Sequence, residues 1–313
     1  MIKLAIVCPC YNEEAVIDRS SERLLDLLDR LTDAGKITPD SFVLMVNDGS
    51  RDATWSRIVG ANARDSRIKG LDLAHNSGHQ NAIMAGMMTA ADLCDALVTV
   101  DVDLQDDIEA IGRMVDAYAD GYDVVYGVKV SRQADPLLKR LTAAAFYKLQ
   151  RRLGVETVYN HADFRFMSRR VVEELARYDE RNLYLRGIIP LIGFDSTTVD
   201  DVISERTAGK SKYTLPKMLN LALNGITSFS VKPIYGILST GGIFVLISIA
   251  IGIYVLVSLL SGSAEHGWAS LMLSIWFVGG IILLAIGVIG LYIGRIYIEV
   301  KQRPRYHIKE RLL

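Results

Sequence analysis

Two stretches near the C-terminal end of the chain contain no Asp, Glu, Lys, Arg or His: Ile234 to Leu260 and Trp268 to Gly294. Each is longer than the roughly 20 apolar residues that span a bilayer core. An uncharged run of that length seldom occurs twice in succession in a soluble core, so the pair predicts two transmembrane helices rather than two buried ones. Both lie far from the N-terminus, which separates them from a cleaved signal peptide. The chain then divides into a large N-terminal part, 1–232, a two-helix anchor, 233–299, and a short basic tail, 300–313.

The flanks set the orientation. Ser261 to Gly267, between the two runs, carries Glu265 and no Lys or Arg, whereas Lys232 precedes the first run and Arg295, Lys301, Arg303, Arg305, Lys309 and Arg311 follow the second. By the positive-inside rule both ends are cytoplasmic, which predicts a multi-pass protein of the cell (inner) membrane with its large N-terminal part in the cytosol. The chain's 3 cysteines, Cys8, Cys10 and Cys94, form no disulfide framework, as expected of a reducing compartment. A net charge of -1 excludes a globally basic nucleic-acid binder.

Residues 1 to about 128 alternate between two hydrophobic periods. LAIVCP (4–9), FVLMVN (42–47), IKGLDLA (68–74), ALVTVD (96–101) and DVVYGV (123–128) are short and apolar, and 13–31, 52–65, 79–94 and 107–120 have helical spacing. Strand and helix in strict turn predict an α/β fold, a Rossmann-like mostly parallel sheet with helices on both faces. Ligands in such sheets sit at the carboxyl ends of the strands. The polar motifs fall there: PCYNEE after the first strand, NDGSRD after the second, HNSGHQN after the third and DVDLQDD after the fourth.

Taken singly, these clusters read as helix caps and turns. Together they gather Glu13, Asp48, Asp101 and Asp103 on one rim, which caps alone do not require. Alternate residues of an extended chain share a side, so Asp101 and Asp103 can reach one ligand. Clustered carboxylates repel, and a hard divalent cation that shares one or two of them with a substrate diphosphate would neutralise the run.

Pro9-Cys10-Tyr11-Asn12-Glu13-Glu14, Asn47-Asp48-Gly49-Ser50, Asp101-Val102-Asp103-Leu104-Gln105, Asp163-Phe164-Arg165 and Gly209-Lys210-Ser211-Lys212-Tyr213 together resemble the inverting family 2 glycosyltransferases, among them the polyprenyl-phosphate glycosyltransferases related to dolichyl-phosphate mannose synthase. The resemblance implies a GT-A fold and transfer of a sugar from a nucleotide-diphosphate sugar, with a UDP-sugar the expected donor, to undecaprenyl or dolichyl phosphate, with Mg2+ or Mn2+ as cofactor. It assigns Pro9, Tyr11, Glu13 and Asp48 to the nucleotide pocket, Asp101 to the nucleotide sugar, and Asp103 with Gln105 to the metal. Asp163 and Arg165 would face sugar and acceptor, and Lys210, Lys212 and Arg206 the phosphates. Three positions depart from the family pattern: Asn47 stands where a first Asp is usual, His75 where a basic residue precedes Asn76, and Asn160 where an acid often stands.

A phosphate monoester with a second pKa of about 6 is largely dianionic at neutral pH and attacks with little help from a base. Asp163 therefore has two open roles, positioning or general base, and Arg165 suits the acceptor phosphate because its fork is bidentate. Two amphipathic stretches are expected at the membrane interface. Lys129 to Arg152, with a helix at about 136–153, sets seven basic residues against Asp135, and about 214–230 carries Leu215, Met218, Leu219, Ala222, Ile226 and Phe229 in helical spacing. Gly290 and Gly294 suggest close helix packing, including a homo-oligomer.

Three other readings compete. An aspartyl phosphotransferase shares the Asp-x-Asp strand end but carries Thr or Val where this chain has Gln105. A processive glycan synthase needs more spans and a Gln-x-x-Arg-Trp motif, and the tryptophans here are Trp55, Trp268 and Trp276. A non-enzymatic membrane scaffold or flippase partner has no need of four polar strand ends.

Overall fold

Every residue of β1 (Leu4–Cys10) and of β2 (Phe42–Asn47) is buried, the signature of strands covered by helices on both faces. This computed structural model describes residues 1–129, 161–181, 183–202, 232–260 and 267–313. β3 (Ile68–Leu73) and β4 (Ala96–Thr99) complete the parallel centre, in which β1 pairs with β2 and β4 and β2 pairs with β3. The helices α1 (Ile17–Asp33), α2 (Thr54–Arg64), α3 (His79–Ala91) and α4 (Ala110–Ala119) fall where the sequence periodicity expects them. Ile17, Leu24, Leu27, Leu28 and Leu31 turn the apolar face of α1 into the core with Val98, Ile111 and Phe166.

Beyond β4 the sheet departs from a simple parallel series. β5 (Val124–Lys129) does not follow β4, because β6 (His161–Ser168) lies between them, antiparallel to both. β7 (Ser196–Asp201) pairs in parallel with β5, and the full order is β7-β5-β6-β4-β1-β2-β3-β8. Phe164 and Phe166 bury β6 in the core. A Cβ at Gly127 on β5 would lie 2.4 Å from the Phe164 ring, so β5 can flank β6 only with glycine there. Polar His161, Asp163 and Arg165 interrupt the apolar run that would have announced this strand. α5 (Arg169–Leu175) and α6 (Leu185–Leu191) follow β6.

β8 (Ile308–Leu312) is a second departure. Residues read from sequence as part of a basic tail form an antiparallel edge strand on β3, and Ala74 donates its N–H to the His307 carbonyl at 2.8 Å. Five residues that alternate little in polarity carry no strand signal of their own; the exposed edge of β3 supplies the template.

The chain forms two compact units. One holds the sheet, its helices and residues 303–313, and the other holds α7 (Lys232–Leu260) and α8 (Trp268–Lys301). These long helices present apolar side chains outward, among them Leu246, Tyr254, Leu283 and Leu284. Among the described residues one segment, Phe277–Lys301, is long and apolar enough to cross a membrane by length and composition. A Cβ at Gly290 or Gly294 would meet nothing within 4 Å. The two amphipathic stretches and the loop 261–266 lie outside the described residues, except that Lys129, counted with the first stretch, ends β5.

α3 rests on β1 through Gly86, where a Cβ would sit 2.4 Å from Val7 Cγ1 and 2.8 Å from Val46 Cγ2. Gly86→Val should therefore overpack the helix–sheet interface and destabilise the fold by about 1–3 kcal/mol. Thermal unfolding of the full chain in detergent checks this, and an unchanged midpoint would contradict it.

Candidate active site

β1 runs past its neighbour. The last bridge between them joins Val7 to Thr99, and Val100 still donates to the Val7 carbonyl at 3.1 Å, but Pro9 and Cys10 have no β4 residue opposite. Residues two apart on a strand point the same way, so Pro9 faces the side that β4 has left, where its missing N–H interrupts no ladder bond. β1 is flanked by β2 on one side and β4 on the other, the switch point at which parallel sheets open a crevice. The first and fourth motifs stand at the ends of these two strands, β1 and β4.

The loop after β1 is tied to the loop after β2. Asn12 takes a left-handed backbone (φ 53), donates its N–H to Ser50 Oγ at 2.9 Å and accepts from the Arg51 N–H at 2.9 Å through its side chain. Glu13 donates its N–H to Thr54 Oγ1 at 2.9 Å, and Asp48 donates its own to the Cys10 carbonyl at 2.9 Å. Tyr11 projects from this loop 40% exposed. Asp48 is only 3% exposed, and its carboxylate accepts from the N–H groups of Ser77 at 2.6 Å and Gly78 at 3.0 Å, so it shapes the wall formed by the loop after β3. Gly49 is obligatory beside it: its φ is +60, and a Cβ would lie 2.4 Å from the His75 backbone carbon.

The acidic run after β4 divides into two pairs. The chain turns rather than extends, with Leu104 donating to the Asp101 carbonyl at 3.0 Å and itself left-handed (φ 48). Asp101 and Asp103 nonetheless both face outward while Val102 and Leu104 are buried. The other two acids are structural. Asp106 is buried against Lys129 at 3.1 Å, and burial with the nearby charges of Asp101 and Asp201 outweighs that lysine and pushes it up to about 7. Asp107 accepts from the Glu109 N–H at 3.1 Å and from Arg113 at 2.9 Å.

Asp103 accepts a hydrogen bond from the Gln105 amide, which fixes its direction. Among the described residues no three His, Cys, Asp or Glu side chains converge as a metal cage. An exposed carboxylate with one amide beside it is the incomplete oxygen set that suits Mg2+ or Mn2+ when substrate phosphate and water complete the shell.

Asp163 lies next to β4, held there by Thr99 Oγ1, which donates to its carbonyl. Its carboxylate is ringed by donors: Arg165 on the same strand, Arg186 of α6 at 3.0 Å and 3.3 Å, and His79 Nε2 at 3.5 Å. His79 also stands 3.8 Å from Asp101, whose side chain is 52% exposed. Gln80 accepts from the Leu185 N–H at 3.1 Å and so brings the start of α6 to the start of α3, which places Arg186 beside His79. Burial alone would raise the Asp163 carboxyl, but the Arg186 charge, the His79 hydrogen bond and Arg165 outweigh it and hold it well below the ordinary carboxylate range. Burial would likewise lower His79, and Asp163 and Asp101 instead raise it. Desolvation, Asp163 and Asp103 raise Asp101 against the opposing effect of His79.

Residues 5–176 match glycosyl transferase family 2. This chain belongs to glycosyl transferase family 2. It is 48% identical over 305 residues to the uncharacterized glycosyltransferase YkoT of Bacillus subtilis, covering 97% of this chain and 90% of the relative. It is 39% identical over 313 residues to the SfII prophage-derived bactoprenol glucosyl transferase of Shigella flexneri, covering 99% and 98%. Among solved structures, the mannosyltransferase PcManGT of Pyrobaculum calidifontis, in complex with GDP-Man and Mn2+, is 15% identical with a TM-score of 0.43, covering 95% of this chain and 85% of that one.

The structure of this glycosyltransferase brings Asp101 and Asp163 together at His79, sets Gln105 on Asp103, ties the loop that carries Tyr11 and Glu13 to the loop after β2, and turns Asp48 onto the loop after β3. It buries Arg165, 1% exposed, beneath Asp163 rather than opening it to a ligand. Arg206, Lys210 and Lys212 lie outside the described residues. Sequence reading missed Arg186 and His79. A lone arginine in the apolar Leu185-Arg186-Gly187-Ile188-Ile189 run and a histidine opening α3 were the signals available, and neither names its partner.

The depressed Asp163 carboxyl carries a pH dependence. Its contribution to stability is fully present above the ordinary value of about 4 and is lost as pH falls through the lower folded value. Asp163→Asn, which removes the buried charge that Arg165, Arg186 and His79 share, should cost about 3–5 kcal/mol near pH 7. The gap in unfolding midpoint between wild type and variant should narrow as pH is lowered toward 3. A gap that stays constant with pH would contradict this.

Proposed function

We propose that this glycosyltransferase moves a sugar, with inversion, from a nucleotide-diphosphate sugar, a UDP-sugar in the reading favoured here, to the phosphate of a membrane polyprenol such as undecaprenyl phosphate. The observation that carries the proposal is the pairing of two unlike acids across one histidine. Asp101 is raised and half exposed on the donor rim, Asp163 is held ionised by cations, and His79 touches both within 3.8 Å. The bactoprenol glucosyl transferase named among the relatives supports the lipid acceptor.

The acceptor side follows from the charges. A general base works best with a pKa near the operating pH, and Asp163 is held far below it while its oxygens serve two arginines and a histidine. Asp163 is therefore a positioning group. Arg186, 26% exposed, takes the acceptor phosphate in this reading, and buried Arg165 holds Asp163 from behind. Asp101 orients the donor sugar, and Asp103 with Gln105 would hold Mg2+ or Mn2+. That ion, when bound, offsets the charge developing on the departing diphosphate as a Lewis acid. Lys210, Lys212 and Arg206 are proposed to serve the same phosphates from the segment beyond β7.

Chain connectivity supports two membrane crossings. β8 belongs to the same sheet as β3, although α7 and α8 lie between them in sequence. A chain that leaves a sheet on one side of a bilayer and rejoins it crosses an even number of times. With Phe277–Lys301 as one crossing, the 29 residues of α7 provide the return, and the cytosolic sheet keeps both termini on its own side.

Membranes containing the chain, incubated with a panel of labelled nucleotide sugars, should move one label into the lipid phase. Asp103→Asn should lose most of that transfer while still folding and inserting; full transfer by the variant in excess EDTA would sink the metal assignment, and no label in lipid for any donor would leave the scaffold reading standing. A cysteine placed at Ser263 should react with an impermeant reagent in intact cells. Reaction only after lysis would reverse the topology.

A further inference from the structure

We infer that β8, the strand that follows the last apolar helix, positions the nucleotide pocket through Lys309, Asp72 and Asn47; this deepens the nucleotide-sugar reading of the crevice and rests on it. Asp72 sits on β3 with 3% exposure, and a buried carboxylate is tolerable only when both oxygens are met. One oxygen accepts from Asn47 Nδ2 at 2.6 Å, and the other faces Lys309 Nζ at 3.0 Å. Asn47, 2% exposed, accepts the Ser50 N–H at 3.3 Å and so sets the turn whose next residue, Asp48, holds Ser77 and Gly78.

The aim of Lys309 is built into the strand pairing. Asp72 lies opposite Glu310 and Leu73 opposite Ile308, so Lys309 is an extra residue in a bulge, and bulges re-aim the side chain they carry. The approach to β8 is also anchored, with Arg305 donating to the carbonyls of Glu180, at 3.1 Å, and Tyr178. Covering the edge of β3 would need only the backbone bonds of β8. A cation reaching a buried acid that in turn fixes Asn47 goes beyond edge covering. The chain also explains why asparagine serves at position 47, since an aspartate there would set a second carboxylate against Asp72 with one lysine to balance both.

The test is a cycle on the full-length chain, reading KM for the nucleotide sugar, kcat at saturation and the unfolding midpoint. Lys309→Met should raise that KM about fivefold or more, the loss expected when a buried polar group is left unmet, with kcat changed less than about twofold. Lys309→Arg should restore the KM. Asp72→Asn still offers Asn47 an acceptor but removes the buried charge, so in that background Lys309→Met should change KM by less than about twofold. Asp101→Asn serves as the reference for the pocket itself. If Asp101→Asn raises the KM while Lys309→Met lowers only the midpoint, β8 is an edge cover and the inference fails while the reading of the crevice survives. If neither variant moves the KM, the nucleotide reading fails and the inference with it. Should Lys309→Met not fold alone, the Asp72→Asn background decides: a further rise in KM there would overturn the proposed relay.

Discussion

The structure depends on β1 outrunning β4. Their ladder closes at Val7 and Thr99, and Pro9 then stands on the side where a partner would have been, offering no N–H for one. A residue with a free amide there would have invited another bridge and zipped the crevice shut; proline leaves the two strand ends apart at no cost in hydrogen bonds. From that gap follow the left-handed turn at Asn12, the turn from Asp101 to Leu104 with its second left-handed residue, and the space between the rims. Strained backbone at both rims of one opening is the pattern expected of a site that the surrounding sheet over-determines.

Charge organises what lines the gap. Of the acids after β4, Asp101 and Asp103 face solvent, and Asp106 and Asp107 face protein and pair with Lys129 and Arg113. On β6, at the other edge of β4, the balance is reversed, because Asp163 is surrounded by two arginines and a histidine. That difference between two neighbouring carboxylates, one raised and one depressed, is what supports the proposed division between donor and acceptor sides.

The path of the chain gives the apolar helices a structural consequence. The segment after α8 returns to the sheet as β8 and sets its lysine against Asp72, behind the same motif that closes the β2 end of the crevice. The strand that follows the last apolar helix is thereby part of the sheet that carries the candidate site.

By itself the sequence determined the parallel centre of the sheet, because β1 to β4 are continuous apolar runs whose period and caps are local properties. It also determined that Asp101 and Asp103 face one way and that two long stretches lack any charge, whereas the need for glycine at position 49 appears only when the His75 backbone closes on it. It did not place β6, since three polar residues break its apolar pattern and its position between β4 and β5 is set by partners about 30 residues or more away in sequence. Nor did it reveal that Arg165 is buried, that Arg186 and His79 share Asp163, or that Lys309 reaches Asp72. Ion pairs of that kind join residues from separate elements, and their identity depends on which strand ends and helix starts the sheet order brings together. Local pattern records the period and polarity of each segment, whereas these partnerships exist only once the chain has been folded across long loops.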